Sequence, residues 1–382
     1  INMKKTALRL VYGASFLFSL HLALTAYVNS TYIASLVGEN LVGLIYALSG
    51  ALTLLAHLIY PKILRYFGEK KVILNTIFVN LISLAVLFFS NNTNLLLISS
   101  FIYLMTSSIA VYLFDLLVEH FTQNKSVGRT RGLYLSLTNS AWVIAPFFSG
   151  VIVSGMGMPS IYGAGFIITF FTYLILRREL SIEIPIKYTA LRANFLPTRN
   201  KRNVILVTLL NFFLQFFFAW MVIYSPIYLT QNIGLTWGQI GIIFSIMLIP
   251  FAITEYPLGL LADKVGEKKF LILGFLIMAG SVFWFSQTFA GGIITFASIL
   301  FVSRIGASMI EIMLDTYFFK QVHEADVGAI SLFRNVRSLA YIIGPLLAVG
   351  LVKFITINEL FVVLSFVMLL ASGIGFMVKE KI

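Results

Sequence analysis

The chain has 382 residues, of which 59% are hydrophobic and 11% charged, with 36 Phe, no Cys and a formal net charge of +12. A soluble globule of this size shows water a largely polar skin, so the composition excludes a soluble protein and makes lipid the solvent. Lack of Cys excludes disulfides, a thiolate nucleophile and Cys-ligated metal, and the positive charge is placed too one-sidedly to be a nucleic-acid footprint, so no nucleic acid is expected.

The chain starts with a basic patch, "INMKKTALRL", followed by a long apolar run. No small-residue cleavage pattern interrupts that run, so it is read as a retained membrane helix rather than a signal peptide. Polar breaks divide the sequence into twelve apolar segments, at about 7–36, 41–63, 71–90, 95–118, 131–153, 160–177, 203–229, 238–261, 269–288, 291–319, 328–353 and 357–378. Each is long enough to cross a hydrocarbon core of about 30 Å. The one long polar linker falls near the middle, giving a six-helix bundle over 1–178, a linker over 179–202 and a second six-helix bundle over 203–382. The predicted fold is an all-α integral membrane protein of twelve transmembrane helices in two pseudo-symmetric halves.

Basic residues set the orientation. Lys4, Lys5 and Arg9, then Lys62, Arg65, Lys70 and Lys71, then Lys125, Arg129 and Arg131 all fall at alternate boundaries, followed by the linker, Lys264, Lys268, Lys269, Lys320, Lys379 and Lys381. The other boundaries hold almost no Lys or Arg, so both termini and the linker are expected in the cytoplasm, with the protein a multi-pass component of the inner membrane.

The tetrapeptide Gly-Glu-Lys-Lys occurs at Gly68–Lys71 and again at Gly266–Lys269, in each case between the second and third segment of its half. Ser108 and Asp115 recur 200 positions later as Ser308 and Asp315, and "AWVIAP" at 141–146 is echoed by "AYIIGP" at 340–345. Several echoes in register indicate a duplicated unit. Parallel six-helix halves are a transporter architecture with the substrate site near the midplane.

The stretch "GLLADKVGEKK" at 259–269 resembles the loop signature of the Major Facilitator Superfamily, matching at Gly259, Leu261, Ala262, Asp263, Lys264, Gly266, Lys268 and Lys269. The first copy departs from it, with Arg65 where the acid stands. The resemblance implies a transporter working by alternating access, with the first, fourth, seventh and tenth helices lining a central cavity and this loop latching the cytoplasmic side. Gly259, Asp263, Gly266, Lys268 and Lys269 are the gating residues on this reading, with Arg131 as a partner for Asp263, and Asp115 and Asp315 close to the two loops. Both aspartates also fit a structural role, paired with loop lysines of their own half. "APFFSG" at 145–150 is similar to the family's antiporter motif with Ala145 in place of glycine.

Ionisable and polar groups within the spans mark candidate sites, because burying them in lipid is costly. Arg304, Ser308, Glu311 and Asp315 stand at i, i+4, i+7 and i+11, one stripe on the tenth segment. His21, Thr25 and Asn29 form a stripe on the first segment; Thr208, Asn211 and Gln215 form another on the seventh, with Trp220 as a cavity wall. Arg304 is assigned to an anionic or polar substrate, helped by Ser308, His21, Thr25, Asn29, Asn211, Gln215 and Trp220. Glu311 is the first candidate proton carrier and Glu255 the second; a fixed salt-bridge cluster of Glu311 with Arg334 and Arg337 is the competing reading.

The function expected is secondary active transport: proton-coupled efflux of a small amphipathic compound, or else uptake or exchange of an organic anion, with a receptor or scaffold as the alternative of another class. No enzyme activity, cofactor or metal site is expected, since the four histidines are scattered and no Gly-rich phosphate loop with Lys-Ser/Thr is present. The partners are the small-molecule substrate, a proton or other coupling ion and the lipid bilayer, with the monomer as the working unit.

Overall fold

A computed structural model describes the backbone of residues 2–121, 127–179, 201–322 and 327–379. The helices are α1 (Asn2–Ala26), α2 (Val28–Val37), α3 (Glu39–Phe67), α4 (Glu69–Phe89), α5 (Thr93–Phe121), α6 (Val127–Met156), α7 (Pro159–Glu179), α8 (Lys201–Ile227), α9 (Trp237–Val265), α10 (Lys268–Gln287), α11 (Ile293–Gln321), α12 (Val327–Leu351) and α13 (Ile357–Gly375). Among the described residues there is no strand. Twelve spans in these helices are long and apolar enough to cross a membrane. Helices suit this role because they satisfy all their backbone hydrogen bonds internally, as lipid requires.

Helix ends shift by a few residues from those read in the sequence, and two segments carry an irregularity that the reading did not contain. The first segment is two helices, broken at Tyr27. Two residues before the break, the Thr25 hydroxyl donates to the carbonyls of His21 and Leu22, at 3.2 and 3.1 Å. Side-chain competition for turn carbonyls bends a helix in this way. The seventh segment runs on past residue 229 through a π-helical turn, Tyr228–Asn232. It follows Pro226, which lacks an amide hydrogen to donate and so disturbs the regular ladder.

The chain divides into two compact units. One holds α1–α7 and Thr236–Gly241, which includes the start of α9; the other holds α8, the rest of α9 and α10–α13. Linker residues 180–200 lie outside the described residues.

In the first unit, α1 packs on α6 and α7, and α4 on α5 and α7. A cluster of Val11, Phe18, Ile77, Leu113, Phe114 and their neighbours fills one part of the interior, and a second, around Val28, Leu84, Tyr103, Ile161 and Tyr162, fills another. In the second unit, α10 packs on α11 and α13, and α12 on α8. Gly274 and Gly306 bring α10 and α11 together backbone to backbone: a Cβ on Gly306 would stand 2.7 Å from the Gly274 carbonyl oxygen. Small residues permit such close approach in lipid, where packing rather than water drives association. This contact fixes α11, which carries the polar stripe.

The repeated tetrapeptide makes the same turn twice. Gly68 and Gly266 adopt positive φ, 77° and 86°, a conformation that glycine takes without strain, and each links two helices directly. Many large apolar side chains, among them Leu55, Ile98, Phe171, Ile253 and Phe366, point outward, as expected where the surrounding medium is acyl chains.

Candidate functional site: a charged cavity in the second unit

Three helices of the second unit each contribute a spaced pair to one cavity of about 160 Å³. Asn211 and Gln215 come from α8, Glu311 and Asp315 from α11, and Arg334 and Arg337 from α12; Leu214 and Phe333 complete the wall. The pairs are separated by four, four and three residues, the spacings that put two side chains on one helix face. Asn211 Nδ2 donates to the Phe333 carbonyl at 3.0 Å, tying α8 to α12 behind the cavity, and Gln215 Nε2 donates to Asn211 Oδ1 at 3.4 Å. Phe333 stacks on Phe318 with centroids 4.0 Å apart, which fixes the neighbouring α11 wall. Arg337 reaches towards the Tyr341 ring, with Cζ 5.8 Å from its centroid. Two carboxylates and two guanidinium groups thus line one space, formally balanced, with two amides beside them.

The remaining α11 stripe residues are placed differently. Arg304 is only 1% exposed, and its Cζ lies 4.9 Å from the Phe217 centroid and 5.7 Å from that of Phe218. Its Nε and Nη1 have no hydrogen-bond partner. The aromatic faces give the cation a favourable surface, worth about 2 kcal/mol where desolvated. Ser308 shares a 2.7 Å hydrogen bond with Thr254, which joins α11 to α9. Trp220 is buried and donates through Nε1 to the Gly344 carbonyl at 2.8 Å, so it joins α8 to α12 and lines no wall of this cavity. Thr208 bonds back to the Val204 carbonyl.

His21, Thr25 and Asn29 lie in the first unit in a closed polar network. His21 Nδ1 bonds to the Phe18 carbonyl at 2.9 Å, and Nε2 stands 3.1 Å from the Tyr103 hydroxyl. That hydroxyl also meets Thr25 Oγ1 at 2.6 Å, while Asn29 accepts from the Tyr162 hydroxyl at 3.0 Å. All three are buried. Each is therefore held by protein partners.

Of the gating residues, Gly266 forms the turn described above, Lys268 Nζ donates to the Phe376 carbonyl at 2.7 Å, and Lys269 is exposed. Asp115 on α5 is exposed. The side chains of Arg131, Glu255 and Asp263, and the surroundings of Gly259, lie outside the described residues. In this region the Glu267 carboxylate accepts from Lys320 at 2.8 Å. Its counterpart Glu69 is buried with Oε2 lacking a hydrogen-bond partner. In the sequence Glu267 was visible only as a member of the repeated tetrapeptide and Lys320 only as a topogenic charge. Arg334 and Arg337 were visible as charges within an apolar span, and their three-residue spacing was the signal that they face one way.

Among the described residues, no group of three or more His, Asp or Glu could hold a metal ion.

The model of the Major Facilitator Superfamily matches over residues 11–238 and over 208–381. Solved structures with the same fold include the nucleoside transporter NupG (12% identity, TM-score 0.75, covering 97% of this chain and 99% of that one). The POT family transporter PepTSo is similar at 10% identity and TM-score 0.76, over 98% and 97% of the two chains. The human organic anion transporter MFSD10 (TETRAN) is similar at 14% identity and TM-score 0.69, over 97% and 99%. No match was found among curated protein sequences. With twelve membrane-crossing helices and family matches that together reach from residue 11 to residue 381, the chain belongs to the Major Facilitator Superfamily and is a multi-pass membrane transporter, not an enzyme.

Proposed function

We propose that the chain is a proton-coupled secondary transporter of a small organic anion, recognised at the charged cavity of the second unit. The observation that carries this reading is the meeting of Arg334 and Arg337 with Glu311 and Asp315 in one space inside the span. A guanidinium presents a planar fork that matches carboxylate or phosphate. In the resting cavity the two acids balance the two arginines. Protonating Glu311 removes a negative charge and leaves the arginines a net attraction for an anion, so proton and substrate binding help one another. Arg304 adds a buried positive charge further along α11. The efflux of an amphipathic compound takes its support from the many aromatic side chains, but Phe217 and Trp220 are packed inside the unit rather than around the cavity. One neighbour's name, an organic anion transporter, agrees with the anion reading at the level of fold alone.

The one-sided Lys and Arg residues support cytoplasmic termini in the inner membrane. Cysteines introduced as Asn92→Cys and Lys70→Cys test this, since the native chain has none: an impermeant thiol reagent outside intact cells reaches the first and not the second. The loop at 259–269 is proposed as the cytoplasmic gate, with Asp263→Asn slowing transport while substrate still binds. The monomer is proposed as the working unit.

The central test is flux into proteoliposomes of labelled mono- and dicarboxylates under an imposed pH gradient. Accumulation that follows the gradient and vanishes in Arg337→Gln supports the reading. Binding without any flux would identify a receptor or scaffold instead.

A further inference from the structure

The wall of the charged cavity carries one polar atom whose direction the backbone dictates. A carbonyl oxygen can only accept, so Asn211 must turn Nδ2 to the Phe333 carbonyl, 3.0 Å away, and its Oδ1 the other way. That Oδ1 also only accepts, so Gln215 gives it Nε2, at 3.4 Å. The relay leaves Gln215 Oε1, an acceptor, as the open end of a side chain that lines the cavity.

Register places this acceptor beside an arginine. Asn211 meets Phe333, and nine residues further along α8 and eleven further along α12, Trp220 meets Gly344. Both contacts advance in the same direction, so the two helices run parallel, their levels drifting by only about 3 Å between the two ties. Gln215 and Arg337 each stand four residues beyond the first tie, hence at one level, about 6 Å further along. Both line the same cavity, and among the described residues no hydrogen bond joins them. At this level the wall offers a cationic fork and a neutral acceptor side by side, with Arg334 one turn away.

We infer that the transported anion carries a hydroxyl on the carbon next to its carboxylate, with the carboxylate on Arg337 and Arg334 and the hydroxyl donating to Gln215 Oε1. Gln215 is then the residue that sets specificity. This rests on the anion reading above and adds the chemical class of the anion. A plain carboxylate only accepts hydrogen bonds and leaves Oε1 unmet. A 2-hydroxy acid holds donor and anion one carbon apart, as the wall holds acceptor and fork on neighbouring helices at one level. An ammonium in place of the hydroxyl would also donate, but it would stand beside two guanidinium groups, and like charges repel. The volume of about 160 Å³ keeps the acid small.

The test is the rise in melting temperature of the full chain in phosphatidylcholine nanodiscs, which reports binding by mass action. The probes form two series, propanoate, lactate and alanine, and succinate, malate and aspartate, with chiral acids used as both enantiomers. In whichever series binds, the hydroxy acid is expected to be about five- to tenfold tighter than its parent, the gain from one net hydrogen bond. The amino acid is expected to be no tighter than the parent. Gln215→Met keeps the length of the side chain and removes the acceptor, so the hydroxy acid should fall to the level of its parent while the parent binds as before. Gln215→Leu repeats the measurement should Gln215→Met fail to fold. Equal binding of hydroxy acid and parent in the native chain would overturn the inference and leave the anion reading intact. So would an amino acid as tight as the hydroxy acid, or a preference that survives Gln215→Met. If neither series binds, the anion reading itself falls and the inference falls with it.

Discussion

The two units place polar groups inside the membrane in opposite ways. In the first unit, His21, Thr25 and Asn29 close on Tyr103 and Tyr162, and Asn80 donates to Thr106 and Ser107. In the second, two acids and two arginines line an open cavity. A neutral group in lipid can be fully satisfied by one or two neighbours, and it then serves as a tie between helices. Two opposite pairs of charges that line a cavity stand where a ligand or a proton can meet them. A polar stripe in a membrane helix is therefore a tie or a candidate site according to whether its neighbours close over it or leave a cavity beside it.

The contrast breaks most sharply if the second-unit charges are removed. Arg337→Gln should reduce anion flux about tenfold or more, the loss expected when a charge-assisted contact to the substrate is deleted. Native expression and melting should persist, because Arg337 is exposed to the cavity. Flux unchanged by this variant would make the cluster structural.

Glu311→Gln separates coupling from binding. It should abolish accumulation driven by a pH gradient while anion exchange without a gradient continues, since the amide mimics the protonated acid. A variant that still accumulates substrate against its gradient would remove Glu311 from the proton path.

In the first unit the expected effect falls on stability. Tyr103→Phe leaves His21 Nε2 and Thr25 Oγ1 without their shared hydroxyl, a loss of about 1–3 kcal/mol for buried groups. Melting temperature should drop while flux per folded molecule holds. A loss of flux at unchanged stability would move this network into the site.

The smallest effects belong to the repeated loops and should differ in sign. Glu267→Gln deletes a pair whose lysine is 49% exposed, so solvent screening limits the loss to about 1 kcal/mol or less. Glu69→Gln removes a buried charge with one oxygen unpartnered, and should leave melting unchanged or raise it. Equal losses from the two would mean that the turns are held alike.

The sequence by itself determined the class of fold. Twelve apolar runs, a single long linker and a tetrapeptide repeated in register specify a duplicated membrane bundle, because lipid allows a spanning chain little besides helices. It also determined that Gly68 and Gly266 sit in tight turns, since both lie between long apolar runs with no other room to reverse. The α11 stripe was legible from its spacing alone. What surrounds each member of the stripe was settled only by tertiary structure. Arg304 and Glu311 are seven residues apart on one face, yet one is buried against Phe217 and Phe218 and the other lines a cavity. The cavity exists because α8 and α12 bring their own pairs to it, and no one-dimensional pattern records which faces of three helices meet. The same holds for His21, whose spacing resembles that of a site residue but whose two nitrogens are occupied by Phe18 and Tyr103. Periodicity fixes which side of a helix a residue occupies; only packing fixes what stands opposite, and in lipid that neighbour decides whether a polar group is a tie or a site.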